Sequence, residues 1–287
     1  MQIENHVLKA TIDPNGAELH SLILKSRHHE YIWQADPKHW GRHAPVLFPF
    51  IGMVKGGTYQ YQGKTYPMDK HGFARDAIFQ EVERSEQAVT FRLESNEDNR
   101  HKFPFPFQLD ISYRLEEQSI VNAYQVRNLG EAPMPFSIGG HPAFRCPQDS
   151  SEQRSDYRLV FNRDEDIETH LLGEDGFFSG ETRPCLKGRV LPITDELFDE
   201  DALVFKSLNA TNVSLESGDK RWLKFHYQGF PYLGIWSMSR TSPFVCIEPW
   251  FGLADYHDHD GDIEKKEGVQ FVAPGESFSC DYRVEVF

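Results

Sequence analysis

Two histidines and one glutamate lie in short segments that are rich in glycine, proline and aromatic residues. They are His71 in HGFAR, His141 in GGHPAF and Glu248 in CIEPW. Imidazole and carboxylate groups exchange protons within reach of neutral pH, and aromatic side chains commonly line small-molecule sites. The three segments together predict acid–base chemistry on a carbohydrate, without a nucleophile, a metal or a redox cofactor.

Glu248 follows the apolar run 244–247 and precedes Pro249 and Trp250. The apolar run predicts a buried strand, and Pro249 is expected to end it because proline has no N–H to donate to a neighbouring strand. A carboxylate at the end of a strand is ordinarily exposed to solvent. The adjacent indole of Trp250 instead favours a pocket in which Glu248 meets a sugar.

His141 follows two glycines and precedes Pro142. Glycine permits backbone angles that other residues avoid, and proline biases the residue before it towards an extended conformation. A structural turn with an incidental histidine fits the pattern around His141 equally well. For His71, which precedes a glycine, a histidine in a surface turn is the more ordinary interpretation.

The charge of the chain excludes some classes of partner. Its 287 residues include 30 Lys and Arg against 44 Asp and Glu, for a net charge of −14. Such a surface repels nucleic acid and anionic lipid, so we expect neither as a partner and favour a neutral small molecule.

Several features predict a cytoplasmic protein. The start of the chain lacks the pattern of a signal peptide, and the longest apolar stretch, 44–54, is too short to span a membrane. The cysteines are widely spaced, which indicates reduced thiols; they are Cys146, Cys185, Cys246 and Cys280.

The segment 255–262 is crowded with acidic residues and histidines. Oxygen and imidazole ligands of this kind can hold a divalent ion. They follow no ordered ligand pattern here, however, and a solvated loop is the simpler interpretation. We therefore assign no metal site.

Apolar and polar residues alternate in several segments, among them 109–115 and 278–286, which indicates antiparallel strands with one buried face. The segment 59–66 predicts a hairpin with Gly63 in its turn. Helical patterns are limited to single turns at 36–40 and 194–197. We predict an all-β fold, a large antiparallel β-sandwich with few short helices.

The most polar break, 148–155, is a candidate surface loop or weak domain boundary. Strand patterns resume on both sides of it, and the candidate functional segments also fall on both sides. We therefore expect one domain over residues 1–287, whose two halves share a site.

The order and spacing of these segments resemble those of the aldose 1-epimerase (galactose mutarotase) family, particularly its bacterial mutarotase-like branch. The resemblance covers nearly the whole chain and implies a large β-sandwich with the sugar on a concave sheet face. The segments that carry it are NGAEL at 15–19, RHAPVLFP at 42–49, HGFAR at 71–75, GHPAF at 140–144, LFDEDAL at 197–203 and IEPW at 247–250.

The resemblance implies that Glu248 is the general base and His141 the general acid of a cofactor-free epimerisation of an aldohexose. Such chemistry requires an ionised Glu248 and a protonated His141 together. The resemblance also implies substrate-binding roles for His71, for Arg42 and for Asp201, with Asp199 as the alternative to Asp201. To these we add Arg75, with Trp250 and Phe144 as walls of the site.

Two other functions remain open. Arg42, Arg75, Lys55 and Lys70 could neutralise the phosphate of a hexose 6-phosphate, and convergence of two or more of them at the rim would favour that substrate. A non-catalytic sugar-binding protein would also suit the sandwich, although binding alone does not require an acid and a base. We expect a small-molecule sugar as ligand and a monomer or homodimer.

Overall fold

A computed structural model describes all residues, 1–287. Strands make up 52% of the chain and helices 7%, and the strands form antiparallel sheets. The predicted all-β fold with few short helices is confirmed.

The strands vary from two to sixteen residues in length. In chain order, the first twelve are β1 (Gln2–Glu4), β2 (Leu8–Asp13), β3 (Glu18–Leu24), β4 (His29–Glu30), β5 (Val46–Leu47), β6 (Thr58–Tyr61), β7 (Lys64–Pro67), β8 (Gln80–Arg84), β9 (Ala88–Glu94), β10 (Phe107–Glu116), β11 (Ser119–Asn128) and β12 (Met134–Phe136). The others are β13 (Ile138–Gly140), β14 (Ala143–Arg145), β15 (Tyr157–Leu172), β16 (Phe178–Pro192), β17 (Leu203–Lys206), β18 (Asn212–Ser217), β19 (Lys220–His226), β20 (Tyr232–Trp236), β21 (Phe244–Phe251), β22 (Gln270–Val272) and β23 (Ser277–Val286).

The helical elements are single turns. They are one α-helix, α1 (Glu97–Arg100), and five 3₁₀ turns at Lys55–Gly57, Ala74–Asp76, Arg154–Asp156, Asp195–Phe198 and Ile263–Lys265. The turn predicted at 194–197 is thus confirmed as a 3₁₀ turn. At 36–40, the amides of His39 and Trp40 donate to the carbonyl of Asp36, which makes a single hydrogen-bonded turn.

Two large sheets form the body of the molecule. One has nine strands, in the order β16-β15-β18-β19-β23-β11-β10-β9-β8, and the other has six, in the order β17-β20-β21-β13-β5 with β14 also paired to β21. Buried side chains of both sheets belong to one cluster of 63 hydrophobic residues that runs from Ile3 to Val286. The two sheets therefore share a core, as in a sandwich.

The hairpin predicted at 59–66 is confirmed by β6 and β7. Its two turn residues, Gln62 and Gly63, both have positive φ, of 49° and 74°. Positive φ at both central positions matches the two-residue turn that follows the twist of paired strands.

Strand β21 runs through Pro249, so the expectation that this proline ends the strand is wrong. Pro249 lies opposite Leu233 of β20, and the ladder continues to Trp250. On its other side, the Ile247 N–H donates to the carbonyl of Pro142, and the nitrogen of Pro249 faces the same side because the direction repeats every second residue. On that side of β21, β14 pairs only as far as Cys246 and β13 pairs only from Trp250 onwards. Pro249 lies in the gap between them, so no ladder bond is lost.

Candidate active site

Successive side chains of β21 point to opposite faces of the six-stranded sheet. Val245 and Ile247 point into the shared core. Because side chains alternate across a strand, Glu248 and Trp250 point to the opposite face of the six-stranded sheet, where a cavity of about 220 Å³ opens. This volume is below the roughly 300–1,000 Å³ typical of sites for drug-sized ligands, and it suits a small molecule such as a monosaccharide.

Strands, loops and turns from distant parts of the chain supply the cavity wall. The lining residues are Trp40, Ile51, Gly52, Lys70, His71, Arg75, His141, Leu172, Gly176, Phe178, Asp201, Ala202, Val204, Trp236, Glu248, Trp250 and Ala254.

His141 reaches the cavity because β13 and β14 both pair with β21, and the chain crosses from one to the other at His141 and Pro142. The two preceding glycines serve close packing and not unusual backbone angles. A Cβ on Gly139 would lie 2.7 Å from the Trp250 ring, and a Cβ on Gly140 would lie 2.8 Å from the Tyr282 ring. A larger residue at either position would have to displace these rings or the backbone that leads to His141.

His141 and Glu248 are in direct contact. Nε2 of His141 lies 3.2 Å from Oε2 of Glu248, and the two side chains are 9% and 2% exposed. The imidazole is stacked on Trp40 at a centroid distance of 4.8 Å, and Trp236 meets its edge at 5.6 Å. The surrounding rings fix the imidazole plane, so its nitrogen stays directed at the carboxylate.

Burial shifts both members of this pair towards their neutral forms. It lowers the pKa of His141 to about 3, with smaller contributions from the positive charges of Lys70 and Arg75. It raises the pKa of Glu248 well above its usual value, which Lys70 opposes in part. The sequence analysis expects an ionised Glu248 together with a protonated His141. That charged state is not the resting form of the pair, because a dry site disfavours charge.

The pair still holds one proton across the neutral range. Protonated Glu248 beside neutral His141, and ionised Glu248 beside protonated His141, contain the same number of protons. Groups this close titrate as a unit, so the proton belongs to the pair rather than to either residue. Transfer across the 3.2 Å contact converts one form into the other.

His71 faces the same cavity with a defined tautomer. Its Nδ1 accepts a hydrogen bond from the Gly52 N–H at 3.0 Å, so the proton of the neutral ring is on Nε2. Burial, with the nearby His141 and Arg75, lowers the pKa of His71 well below its usual value. The neutral ring therefore offers a hydrogen-bond donor to a ligand.

The backbone at His71 is held in a conformation that is rare for a histidine. His71 has φ of 66°, and Gly72 follows at 73°. A Cβ on Gly72 would lie 2.1 Å from the Phe48 carbonyl oxygen. Glycine is required at this position because of its positive φ and because the backbone at Phe48 approaches it closely.

Of the two candidate aspartates, Asp201 lines the cavity. Its Oδ1 accepts the Ala202 N–H at 2.8 Å, which leaves Oδ2 for a ligand. Asp199 instead pairs with the exposed guanidinium of Arg240 through both carboxylate oxygens.

The two arginines also differ in position. Arg75 lines the cavity and donates from Nη2 to the Lys70 carbonyl at 2.7 Å. Arg42 is turned to Asp76, with Nη2 2.7 Å from Oδ1, and does not line the cavity. Of the two guanidinium groups, that of Arg75 lines the cavity, and Arg42 is linked to it through Asp76, which contacts both arginines.

One predicted wall is correct in position and one is wrong. Trp250 lines the cavity, and its indole N–H lies near Glu248 without a hydrogen bond of normal geometry. Phe144 is fully buried and packs against Phe225 of the nine-stranded sheet, 6.0 Å between ring centroids. It points into the core because it lies opposite Val245, a core residue of β21.

Sequence reasoning missed three aromatic walls, Trp40, Phe178 and Trp236. Trp40 closes the predicted turn at 36–40, and Trp236 ends β20 on the same face as Gly234, which lies opposite Glu248. Only the pairing of β20 with β21 would have indicated Trp236.

The acidic segment 255–262 is engaged with lysines. Asp255 and Lys266 form an ion pair in which both side chains are 2% exposed, and Lys265 pairs with Asp260 and Asp262. Lys55 donates from Nζ to the carbonyls of His257 and His259 and does not reach the cavity.

Two other groups have spacing compatible with a metal ion. One is Glu18, His20 and His43, and the other is His141, Cys246 and Glu248. In the first, Oε1 of Glu18 already accepts the N–H groups of His43 and Ala44. Its imidazoles are also stacked at 3.9 Å with planes 17° apart, so their in-plane lone pairs run parallel and do not converge.

A family model described as Aldose 1-epimerase matches residues 1–269. The chain belongs to the aldose 1-epimerase family, and the resemblance found in its motifs is confirmed. The family is a class of isomerases, and membership implies a small-molecule sugar as substrate. None of the helices is both long and apolar enough to cross a membrane.

Relatives and solved structures agree with this membership. The chain is 32% identical to the chromosomal protein LacX of Lactococcus lactis over 296 aligned residues, which cover 100% of this chain and 99% of LacX. A galactose mutarotase related enzyme from Lactobacillus acidophilus superimposes with a TM-score of 0.94 at 33% identity, covering 100% of this chain and 97% of that one. A galactose mutarotase-like protein from Lactobacillus casei gives 0.94 at 34% identity, with coverage of 100% and 99%.

Proposed function

We propose that this protein is an aldose 1-epimerase that interconverts the α and β anomers of an aldohexose. The observation that carries the proposal is the 3.2 Å contact between His141 Nε2 and Glu248 Oε2 at the wall of the cavity. Opening and closing of a hemiacetal requires a proton donor and a proton acceptor, and separate segments of the chain supply them here.

In the proposed reaction, the Glu248 carboxylate removes the proton of the anomeric hydroxyl while the His141 imidazolium protonates the ring oxygen. The bond between C1 and the ring oxygen breaks, and an open-chain aldehyde forms. Rotation about the C1–C2 bond presents the other face of the carbonyl, and the reverse proton transfers close the ring. Both residues return to their starting forms, so the cycle needs no cofactor.

The reactive form arises when the proton shared by the pair passes from Glu248 to His141. A bound sugar supplies hydroxyl groups that solvate the charges which the dry cavity disfavours. The reaction needs one proton on the pair, so kcat/KM should have a bell-shaped pH dependence. Because burial separates the limiting pKa values, lowering that of His141 to about 3 and raising that of Glu248, a broad plateau is expected around neutrality.

The other cavity residues are proposed to hold the sugar. His71 donates from Nε2, and Asp201 accepts a hydroxyl at Oδ2. Trp40, Trp236 and Trp250 provide apolar surfaces for the C–H faces of the ring.

The direct test is polarimetry of a freshly dissolved single anomer. The native protein should accelerate its approach to equilibrium, and E248Q and H141N should each lose about 10²–10⁴-fold in turnover with folding retained. Near-native rates in either variant would contradict the assigned roles. Measured sugar binding by the native protein without any acceleration would instead favour a non-catalytic sugar-binding protein.

A hexose 6-phosphate is a second candidate substrate, because two of the four cations considered above, Lys70 and Arg75, line the cavity. Lys70 makes no ion pair, whereas Lys55 is bound to loop carbonyls. The test compares glucose with glucose 6-phosphate in wild type, K70Q and the matched control K55Q. A selective loss of about tenfold or more for the phosphorylated sugar in K70Q alone, as expected for a charged contact, would assign the phosphate to Lys70; equal effects on both sugars would exclude it.

A further inference from the structure

Cys246 lies behind the proposed acid–base pair and takes no part in the chemistry described so far. It is fully buried, and it points to the same face of β21 as Glu248 because the two are two residues apart. It lies opposite Ala143, two residues after His141. Its Sγ, a ring nitrogen of His141 and a carboxylate oxygen of Glu248 all lie within 4.8 Å of one another.

We propose that His141, Cys246 and Glu248 form a site for a zinc-class divalent ion, which inhibits the enzyme by occupying its acid–base pair. Binding of the ion follows from the three side chains themselves, whereas inhibition rests on the proposed function. The site is distinct from a cofactor site, since the proposed reaction does not use the ion.

The donor atoms select the class of ion. Thiolate, imidazole and carboxylate together suit Zn²⁺, Co²⁺, Ni²⁺ and Cu²⁺, whereas Mg²⁺ and Ca²⁺ prefer oxygen ligands alone. Tetrahedral coordination at about 2.3 Å for sulfur and about 2.0–2.2 Å for nitrogen and oxygen separates the ligand atoms by roughly 3.3–3.6 Å. The pair already lies at 3.2 Å, and the remaining separations, within 4.8 Å, need side-chain shifts of roughly 1 Å.

The surroundings leave one coordination position open. His141 and Glu248 line the cavity, and Cys246 does not. An ion held from behind by these three ligands would face the cavity with its fourth position, as in zinc sites that bind water or an exogenous ligand. A sugar and the ion would then compete for the same space.

Binding requires three deprotonated ligands. The thiol proton of Cys246 and the proton shared by His141 and Glu248 both pass to solvent, and no electron is transferred. Affinity should therefore rise with pH. The positive charges of Lys70 and Arg75, which line the same cavity, oppose the ion, so we expect weaker binding than at a structural zinc site.

The test of binding uses Co²⁺ as a spectroscopic probe. Titration of the wild-type protein should produce the near-ultraviolet charge-transfer absorbance of a thiolate bound to Co²⁺, and Zn²⁺ should displace it. C246S should lose this band and weaken Co²⁺ binding by roughly tenfold or more, since even outer-shell changes cost about 10–100-fold. C280S, which alters a half-buried cysteine of the nine-stranded sheet, should retain it. Absence of the band in wild type, or its persistence in C246S, would overturn the site.

The test of inhibition measures mutarotation with added Zn²⁺. Zn²⁺ should inhibit the wild type reversibly, with a higher apparent inhibition constant at higher sugar concentration, and EDTA should restore activity. C246S should turn over normally and resist Zn²⁺; C246A provides the same comparison if the serine hydroxyl destabilises the core. Equal inhibition of folded C246S and wild type would overturn the proposal. A Co²⁺–thiolate band in a wild-type protein that lacks mutarotase activity would instead retain the metal site and reject the epimerase function.

Discussion

Pairs of titratable side chains on the outer faces of the two large sheets differ in their exposure to solvent. On the nine-stranded sheet, Arg92 and Asp110 pair across β9 and β10 with distances of 2.7 and 2.8 Å, and the arginine is one-third exposed. On the six-stranded sheet, His141 and Glu248 are almost completely buried, and Nδ1 of His141 has no hydrogen-bond partner. Both faces arise from the same alternation of side chains along a strand.

The difference shows where the molecule tolerates an electrostatic penalty. A solvated pair has ordinary partners and adds little to stability. Buried titratable groups with incomplete hydrogen bonding cost stability, and they persist where the surrounding fold holds them in place. Such groups mark a candidate functional site, and in this protein they coincide with the cavity.

The largest expected effect comes from matched changes of one carboxylate on each face. E248Q should reduce mutarotation by about 10²–10⁴-fold because it removes the proposed base, whereas D110N should leave turnover unchanged. Initial rates with one pure anomer would measure both. A loss of similar size in D110N would show that activity depends on general stability and not on the cavity face.

Glycines provide the next contrast, between a packed and an open position with the same backbone angle. Gly72 and Gly63 have φ of 73° and 74°, but only Gly72 has a backbone atom within 4 Å of the position of a Cβ. G63A should cost about 1 kcal/mol for the positive φ, and G72A should cost roughly 2–4 kcal/mol because overpacking adds about 1–3 kcal/mol. Urea unfolding would compare them, and equal losses would contradict the packing role of Gly72.

Much of the fold was predictable because local patterns determine it. Alternation at 109–115 and 278–286 falls within β10 and β23, and the turn at Gly63 joins β6 to β7. The end of β21 was not predictable, because Pro249 is tolerated only where the neighbouring strand is interrupted. That gap depends on pairing between segments about a hundred residues apart.

The candidate site was predictable in its polar members and less so in its walls. His71, His141, Asp201 and Glu248 line one cavity, and their segments carry recognisable motifs. Phe144 and Trp40 show the limit, because the direction of an aromatic ring depends on which strand it faces. Phe144 lies opposite the core residue Val245, whereas Trp40 stacks on His141 through a contact across the fold.

The pH dependence of stability should separate His71 from the acid–base pair. Native His71 stays neutral because its pKa is lowered, whereas unfolded histidine binds a proton below about pH 6.5. The unfolded chain therefore binds more protons, and stability falls by up to about 1.4 kcal/mol per pH unit as pH decreases below about 6.5. His43, with its pKa lowered to about 4 by burial, contributes in the same direction down to that pH.

The pair should add no slope between about pH 4.5 and 6.5. In that range the native pair holds one proton, and the unfolded chain also holds one, on the histidine. Above about pH 6.5 only the native pair keeps its proton, so its contribution to stability declines. Thermal unfolding across this range should show a reduced acid-side slope in H71N and a reduced decline above pH 6.5 in E248Q. An unchanged acid-side slope in H71N would show that His71 is already protonated in the native protein.

The smallest effect is expected at the solvated face. The Arg92–Asp110 pair has good bidentate geometry, but its arginine is exposed and screened by water. R92A should therefore lower the free energy of unfolding by about 1 kcal/mol or less, with the difference shrinking as salt is added. Urea unfolding at low and high ionic strength would test this. A loss of several kcal/mol that is insensitive to salt would show that water does not screen the Arg92–Asp110 pair, and it would remove the contrast in solvation between the two faces.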